Sequence, residues 1–215
     1  MSETRESPSA PDPPVAERTL GAYLDAIAGD APTPGGGSVV AVVAAMAAAL
    51  GEMVCNFSTK DGPTGAALHA ALGELSTLRQ RCLALAVADE AVYAGYRAAS
   101  SLPRGDDAAH AARSEAMHGA LVTATETPLR LAEACLATID LLVGVAPESK
   151  KSLRSDVEIA VLLAEAALRG ALATARGNLG GLDDESRGGF ATRAAGIERS
   201  AARARDAALG VLGRR

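Results

Sequence analysis

Apolar positions recur in steps of three and four along nearly the whole chain, the spacing of helices that bury one face. From Ala16 to Ala28, the side chains Leu20, Tyr23, Leu24 and Ile27 share a face and predict a short amphipathic helix. The period then breaks at Ala31-Pro-Thr-Pro-Gly-Gly-Gly-Ser38. The twelve residues from Val39 to Leu50 carry no polar side chain, which is too short for a membrane span and suits a core helix, predicted to reach about Ser58. After Lys60-Asp-Gly-Pro63, with Pro63 suited to a first helical position, a long helix is predicted to about Ser100. Its stripe reads Leu68, Leu72, Leu75, Leu78, Cys82, Leu85, Asp89, Tyr93, Tyr96.

The next helix is predicted from about Ala108 to Leu142, with Pro128 expected to kink it or split it in two. Val143 to Arg154 reads as a basic loop, and Ser155-Asp-Val-Glu158 as a capping box with Ser155 at the N-cap and Asp156 in the first turn. That helix ends near Arg176-Gly177-Asn178, and a last Arg/Ala-rich helix runs from about Asp183 to Leu212, packed on the outside. Residues 1–15, rich in Ser, Pro and Glu, are expected to be a disordered tail. The reading is an all-α bundle of about six helices with no sheet, forming one domain over residues 16–215.

Composition sharpens this. The chain is 48% hydrophobic but only 2% aromatic, so its core must be built from Ala, Val and Leu. A net charge of −5 and scattered arginines leave no basic patch for nucleic acid. No apolar leader or transmembrane segment is evident in the sequence. Cys55, Cys82 and Cys135 lie far apart and read as reduced core thiols of a cytosolic protein. The wide Ala/Val faces ask for more cover than one chain gives, which predicts a homodimer.

Candidate chemistry concentrates at a few positions. Three glycines before a helix let backbone N–H groups approach an anion, with the helix N-terminus behind them. The plainer reading is a tight turn with Ser38 as the helix cap. A P-loop is excluded because Ser38-Val39-Val40 follows the glycines where Lys-Ser/Thr is needed. A Rossmann fingerprint is excluded because no strand precedes them. Asp89 stands on an apolar stripe, where desolvation raises a carboxylate's pKa. It is either functional or a structural carboxylate held by a helix-end N–H or by Tyr93. Asp156, in a first helical turn, is expected to stay ionised, and a good helix start explains it equally well. His110 and His118 lack a third ligand at metal spacing and read as ordinary histidines. Of 21 Lys and Arg residues only Lys60, Lys150 and Lys151 are lysines, all in predicted loops.

Five stretches in order resemble the cyclodeaminase/cyclohydrolase family, which comprises the C-terminal domain of formiminotransferase-cyclodeaminase and stand-alone methenyltetrahydrofolate cyclohydrolases. They are Pro32-Thr-Pro-Gly-Gly-Gly-Ser38; Asp89-Glu-Ala-Val-Tyr93 with Leu102-Pro103; Glu126-Thr-Pro128-Leu129 with Ala132-Glu133; Ser155-Asp156; and Ala167-Leu-Arg-Gly-Ala171 with Arg176 and Asn178. The resemblance implies an all-helical dimer acting on one-carbon folates, with no metal or redox cofactor. It implies hydrolysis of 5,10-methenyltetrahydrofolate to the 10-formyl form or ammonia release from 5-formiminotetrahydrofolate. Two carboxylates in unlike environments suit acid/base work: Asp89 as general acid/base, Asp156 orienting water or bonding the pterin. Pro34, Gly35, Gly36, Gly37 and Ser38 would hold the folate, together with Arg176 and Asn178. Lys60, Lys150, Lys151 and Arg154 would attract its glutamate tail. Loop departures around residues 58–63 and 149–154, and Thr174 where the family has Asn, leave two other readings open: a folate-binding protein without turnover, or an enzyme recruited to another substrate.

Overall fold

The computed structural model describes residues 13–59 and 66–213. The expected tail up to residue 12, the candidate Lys60 and the turn at Pro63 lie outside the described residues. Among those described there are six α-helices and no strand: α1 (Leu20–Ala28), α2 (Gly36–Thr59), α3 (Ala66–Ser100), α4 (Asp107–Glu148), α5 (Arg154–Asn178) and α6 (Asp184–Gly213).

Thr19 starts α1, its hydroxyl accepting the Ala22 N–H at 3.2 Å. A cis Thr33–Pro34 peptide then leads into α2. α2 is the central helix, packed against α3, α4 and α5. Its length and composition would let it cross a membrane, but half of its apolar stretch is buried among the other helices, as a core helix is. Ala41, Ala44, Ala45, Ala47, Ala48 and Gly51 let its neighbours come close. A Cβ at Gly51 would lie 3.1 Å from Leu75 and Leu142 side chains, and one at Gly170 would lie 2.5 Å from Val40 Cγ1. Leu75, Leu129, Ile139, Leu142, Leu168 and Leu172 fill the core between these approaches.

α4 corrects two expectations. It runs unbroken for 42 residues through both Pro128 and Pro147, so Pro128 does not divide it. Pro128 has no N–H for the Ala124 carbonyl one turn back. The Asn178 side chain supplies the missing donor, Nδ2 to Ala124 O at 2.8 Å. The supposed loop from Val143 is also helical as far as Glu148. The corner is short: Ser149 closes α4 on the Val145 carbonyl, Lys150 N–H donates to Ser58 Oγ at 3.2 Å, and a 3-10 turn spans Lys151–Leu153. α5 therefore begins at Arg154. Ser155 sits inside the first turn rather than at the cap, and no capping box forms. Asp156 does lie in that first turn.

α6 packs over α4 and α5, as its apolar face predicts. Its Arg193 donates to both Glu126 oxygens at 2.6 and 3.1 Å and to Glu133 at 2.8 Å, and Arg205 reaches Glu165 at 2.6 Å. Glu126 and Glu133, singled out in the sequence, thus anchor the outer helix.

Candidate active site

The site is built on the first turn of α2. Val39 N–H already donates to Gly35 O at 3.1 Å, so the helix starts at Gly36 and Ser38 lies within it. Ser38 is fully buried, and its hydroxyl meets the Tyr23 hydroxyl at 2.9 Å. It is not the helix cap. The cap comes from another helix: the Asp89 carboxylate on α3 accepts the Ser38 backbone N–H. Only glycine at position 37 permits this, because an added Cβ would lie under 3.0 Å from Oδ1, Cγ and Oδ2 of Asp89. The glycine turn therefore presents its N–H groups to a carboxylate of the same chain.

Asp89 is half-buried, and that burial pushes its pKa above the ordinary carboxylate value. The Ser38 N–H opposes the shift by stabilising the anion, while the neighbouring Glu90 charge adds to it. Glu90 is met by Arg18 at 3.7 Å, which ties the segment before α1 to α3. Burial likewise raises the Tyr23 hydroxyl, with its bond to Ser38 acting the other way.

Asp89 stands in the wall of a cavity of about 610 Å³ between α3, α4 and the end of α5. That volume is right for a small organic ligand. Tyr93, Tyr96, Met117 and Leu121 give it an apolar, partly aromatic wall, and Thr174 and Asn178 add polar groups beside Asp89. The chain has only three tyrosines, and two line this cavity while the third bonds Ser38 beneath Asp89. An adjoining groove of about 420 Å³ shares Met117 and Leu121 and carries His110, Arg113 and His118, with His118 Nδ1 at 3.6 Å from Asp183.

The structure brings Gly37, Ser38, Asp89 and Asn178 together. It places Lys150, Lys151, Arg154 and Asp156 at the other end of the bundle, where Ser58 closes α2. Gly36 to Ser58 spans about 33 Å at 1.5 Å per residue. Pro34, Gly35, Gly36, Gly37 and Ser38 all lie at the Asp89 end, but none of the five lines the cavity, and Ser38 is fully buried. Arg176 is exposed and turned away from it, pairing with Glu198 of α6 at 2.5 Å. Reasoning from the sequence missed Tyr23, Glu90 and Pro128 as parts of this site. Tyr23 and Pro128 were visible as an aromatic in an aromatic-poor chain and as a proline inside a helical period. The three cysteines are buried free thiols, and burial raises Cys55 and Cys82 to about 11. Among the described residues no three His, Cys, Asp or Glu side chains cluster at metal-holding distance.

A family model described as formiminotransferase-cyclodeaminase matches residues 19–193. A methenyltetrahydrofolate cyclohydrolase of Methylorubrum extorquens is 37% identical over 171 residues, 78% of this chain and 82% of that protein. A formimidoyltransferase-cyclodeaminase of Gallus gallus is 29% identical over 177 residues, where this chain spans 33% of the relative's length. The crystal structure of a formiminotetrahydrofolate cyclodeaminase from Thermotoga maritima superposes with a TM-score of 0.83 over 92% of this chain and 97% of that one, at 24% identity, and shares the fold.

Proposed function

The chain belongs to the formiminotransferase-cyclodeaminase family, and we propose that it is a one-carbon folate enzyme hydrolysing 5,10-methenyltetrahydrofolate to 10-formyltetrahydrofolate. The observation that carries this is Asp89: a carboxylate in a cavity wall, raised in pKa by burial yet held in place by a helix-end N–H. The methenyl bridge is an amidinium cation, so a carboxylate beside it stabilises bound substrate and is placed to act as base. Water adds its oxygen to the bridging carbon while Asp89 takes the water's proton. Asp89 returns that proton to N5 as the C–N5 bond breaks. The remaining hydroxyl proton leaves, giving the formyl group on N10 and one proton released overall. Tyr93 and Tyr96 offer faces to the flat ring system.

A second reading is ammonia release from 5-formiminotetrahydrofolate. It is supported by the two-part animal relative named above and by the same chemistry, since both reactions pass through a tetrahedral carbon between N5 and N10. Product analysis separates them. Purified protein given 5,10-methenyltetrahydrofolate should yield 10-formyltetrahydrofolate. Ammonia from 5-formiminotetrahydrofolate, without turnover of the methenyl compound, would select the second reading.

The unit proposed is a homodimer. Met46 and Phe57 of α2 and Ile159 and Leu162 of α5 are exposed on neighbouring helices. Two copies packed antiparallel through this face set the Lys150–Asp156 end of one near the Asp89 end of the other, which lets both sets of candidate residues serve one folate. With three free buried thiols, the proposed setting is the reducing interior of the cell.

A further inference from the structure

Thr127 carries a hydroxyl that the rest of the chain does not use. Within the helices Thr77, Thr123, Thr125, Thr138 and Thr174 each donate to the carbonyl four residues back, at 2.8–3.2 Å. Thr127, half-buried on α4, has no hydrogen-bond partner among the described residues. It lies between two spaces. On one side is a cavity of about 10 Å³ lined by Gly37, Leu85, Asp89, Thr127, Pro128 and Leu131, room for one water molecule. The Asp89 carboxylate and the Thr127 hydroxyl give a water there two polar partners. Gly37, on the same wall, belongs to the first turn of α2, where N–H groups have no carbonyl one turn back. On the other side of Thr127 is a groove of about 500 Å³ between α3 and α4, kept open by small residues such as Ala88, Ala91, Gly95, Gly119 and Ala120. Asp89 itself lines both the 10 Å³ cavity and the ligand-sized one. The order across the protein is therefore ligand cavity, Asp89, room for one water, Thr127, surface groove.

We propose that Thr127, with one water held between it and Asp89, forms a proton exit from the active site to the α3–α4 groove. The inference rests on the hydrolysis reading above, in which each turnover releases one proton. A flat ligand against Tyr93 and Tyr96 shields Asp89 from solvent on the ligand side, so the proton leaves by the other side. After C–N5 cleavage the ionised Asp89 takes the hydroxyl proton of the nascent formyl group. Asp89 then gives a proton to the held water as that water gives one of its own to Thr127 Oγ. Thr127 passes its original hydroxyl proton to solvent in the groove. Each relay group gains one proton and loses one, and Asp89 is again a carboxylate while the product is still bound. Thr127 touches no substrate and acts through Asp89, as a positioning residue for the relay water.

Stopped-flow single turnovers of 5,10-methenyltetrahydrofolate, with protein in excess and a pH indicator in weakly buffered solution, test it. Two signals are followed together: loss of the substrate absorbance and release of the proton. In the wild type they should coincide. Thr127→Val keeps the shape of the side chain and removes the hydroxyl. In that protein the absorbance loss should be unchanged, because Asp89 starts the turnover ionised, and proton release should lag it by up to about a hundredfold in rate until product leaves. Thr127→Ser restores the hydroxyl and should bring the two signals back together. Melting curves confirm that both variants are folded. Coincident signals in a folded Thr127→Val protein would overturn the exit, as would an equal slowing of both, which a merely structural threonine would give. A high-resolution crystal structure of the wild type gives a readout that needs no turnover: an ordered water bonded to both Asp89 and Thr127 supports the relay, and none there overturns it. A wild type that holds this water yet does not hydrolyse the methenyl compound would overturn the hydrolysis reading instead.

Discussion

Replacing Gly37 by alanine tests the packing of Asp89 on the opening turn of α2. The new Cβ would lie under 3.0 Å from all three carboxylate atoms of Asp89. To reach ordinary contact near 3.5 Å the carboxylate must retreat by about 1–1.5 Å. That retreat removes the Ser38 N–H bond, a charge-assisted one of about 1.5–3 kcal/mol. Alanine in place of glycine within a helix returns about 0.5–1 kcal/mol. The net cost is about 1–2 kcal/mol, or roughly 2–8 °C in melting temperature for a chain of this length. Turnover should fall by about a hundredfold, the usual consequence of misplacing a catalytic group by 1 Å. The control is the same change in an Asp89→Ala protein. There the obstruction is gone and only the helix-forming gain remains, so Gly37→Ala should raise the melting temperature slightly. Thermal melts of the four proteins decide the matter. If Gly37→Ala lowers stability equally with and without Asp89, or has no effect in the wild type, the contact is not as described.

Three further outcomes follow from the same structure. Because burial raises the Asp89 pKa in the folded state, its ionised form costs stability once pH exceeds that pKa, and no cost remains below the unfolded value. Asp89→Asn should therefore melt higher than wild type at neutral and alkaline pH, with the gap closing as pH falls into the acid range; a gap that widens on acidification would contradict the direction of the shift. Gly170→Ala sets a Cβ 2.5 Å from Val40 Cγ1 and should cost about 1–3 kcal/mol by overpacking, with Val40→Ala restoring much of the loss in chemical denaturation. If the α2/α5 face joins two subunits, Met46→Lys with Ile159→Lys should convert a dimer to a folded monomer by light scattering, and a dimer of unchanged mass would place the interface elsewhere.

The helices were readable because apolar spacing survives whatever the helix packs against. The stripe from Leu68 to Tyr96 and the run from Val39 to Leu50 both became helix. Asp89 was readable for the same reason, as the one carboxylate on an apolar stripe. Its partner was not. Gly37 and Asp89 are far apart in sequence, and only the α2–α3 packing shows that the glycine turn is met by a carboxylate of the chain itself. Both readings of Asp89 weighed from the sequence are present in one geometry: it is held by a helix-end N–H, and it also faces a ligand-sized cavity. Local rules misplaced the α4–α5 region where tertiary contacts override them. Pro128 stays helical because Asn178, fifty residues downstream, repairs the missing bond. Ser155 matched a capping pattern, yet the 3-10 turn at Lys151–Leu153 starts α5 at Arg154, two residues earlier than that pattern sets it. Arg176 was read as a binding residue from the resemblance alone, and its pairing with Glu198 of α6 is a tertiary contact that no local pattern announces. The separation of the Asp89 and Asp156 ends along the helices is a property of the fold that no motif spacing encodes.

The central claim is that Asp89 is the acid/base group of a folate enzyme, and the decay of 5,10-methenyltetrahydrofolate absorbance tests it most directly. Wild type and Asp89→Asn are compared at the same pH, with melting curves taken alongside. Wild type should exceed the uncatalysed rate, and Asp89→Asn should lose about 10²–10⁴ of that acceleration while remaining folded. A folded Asp89→Asn protein that turns over at the wild-type rate would contradict the account.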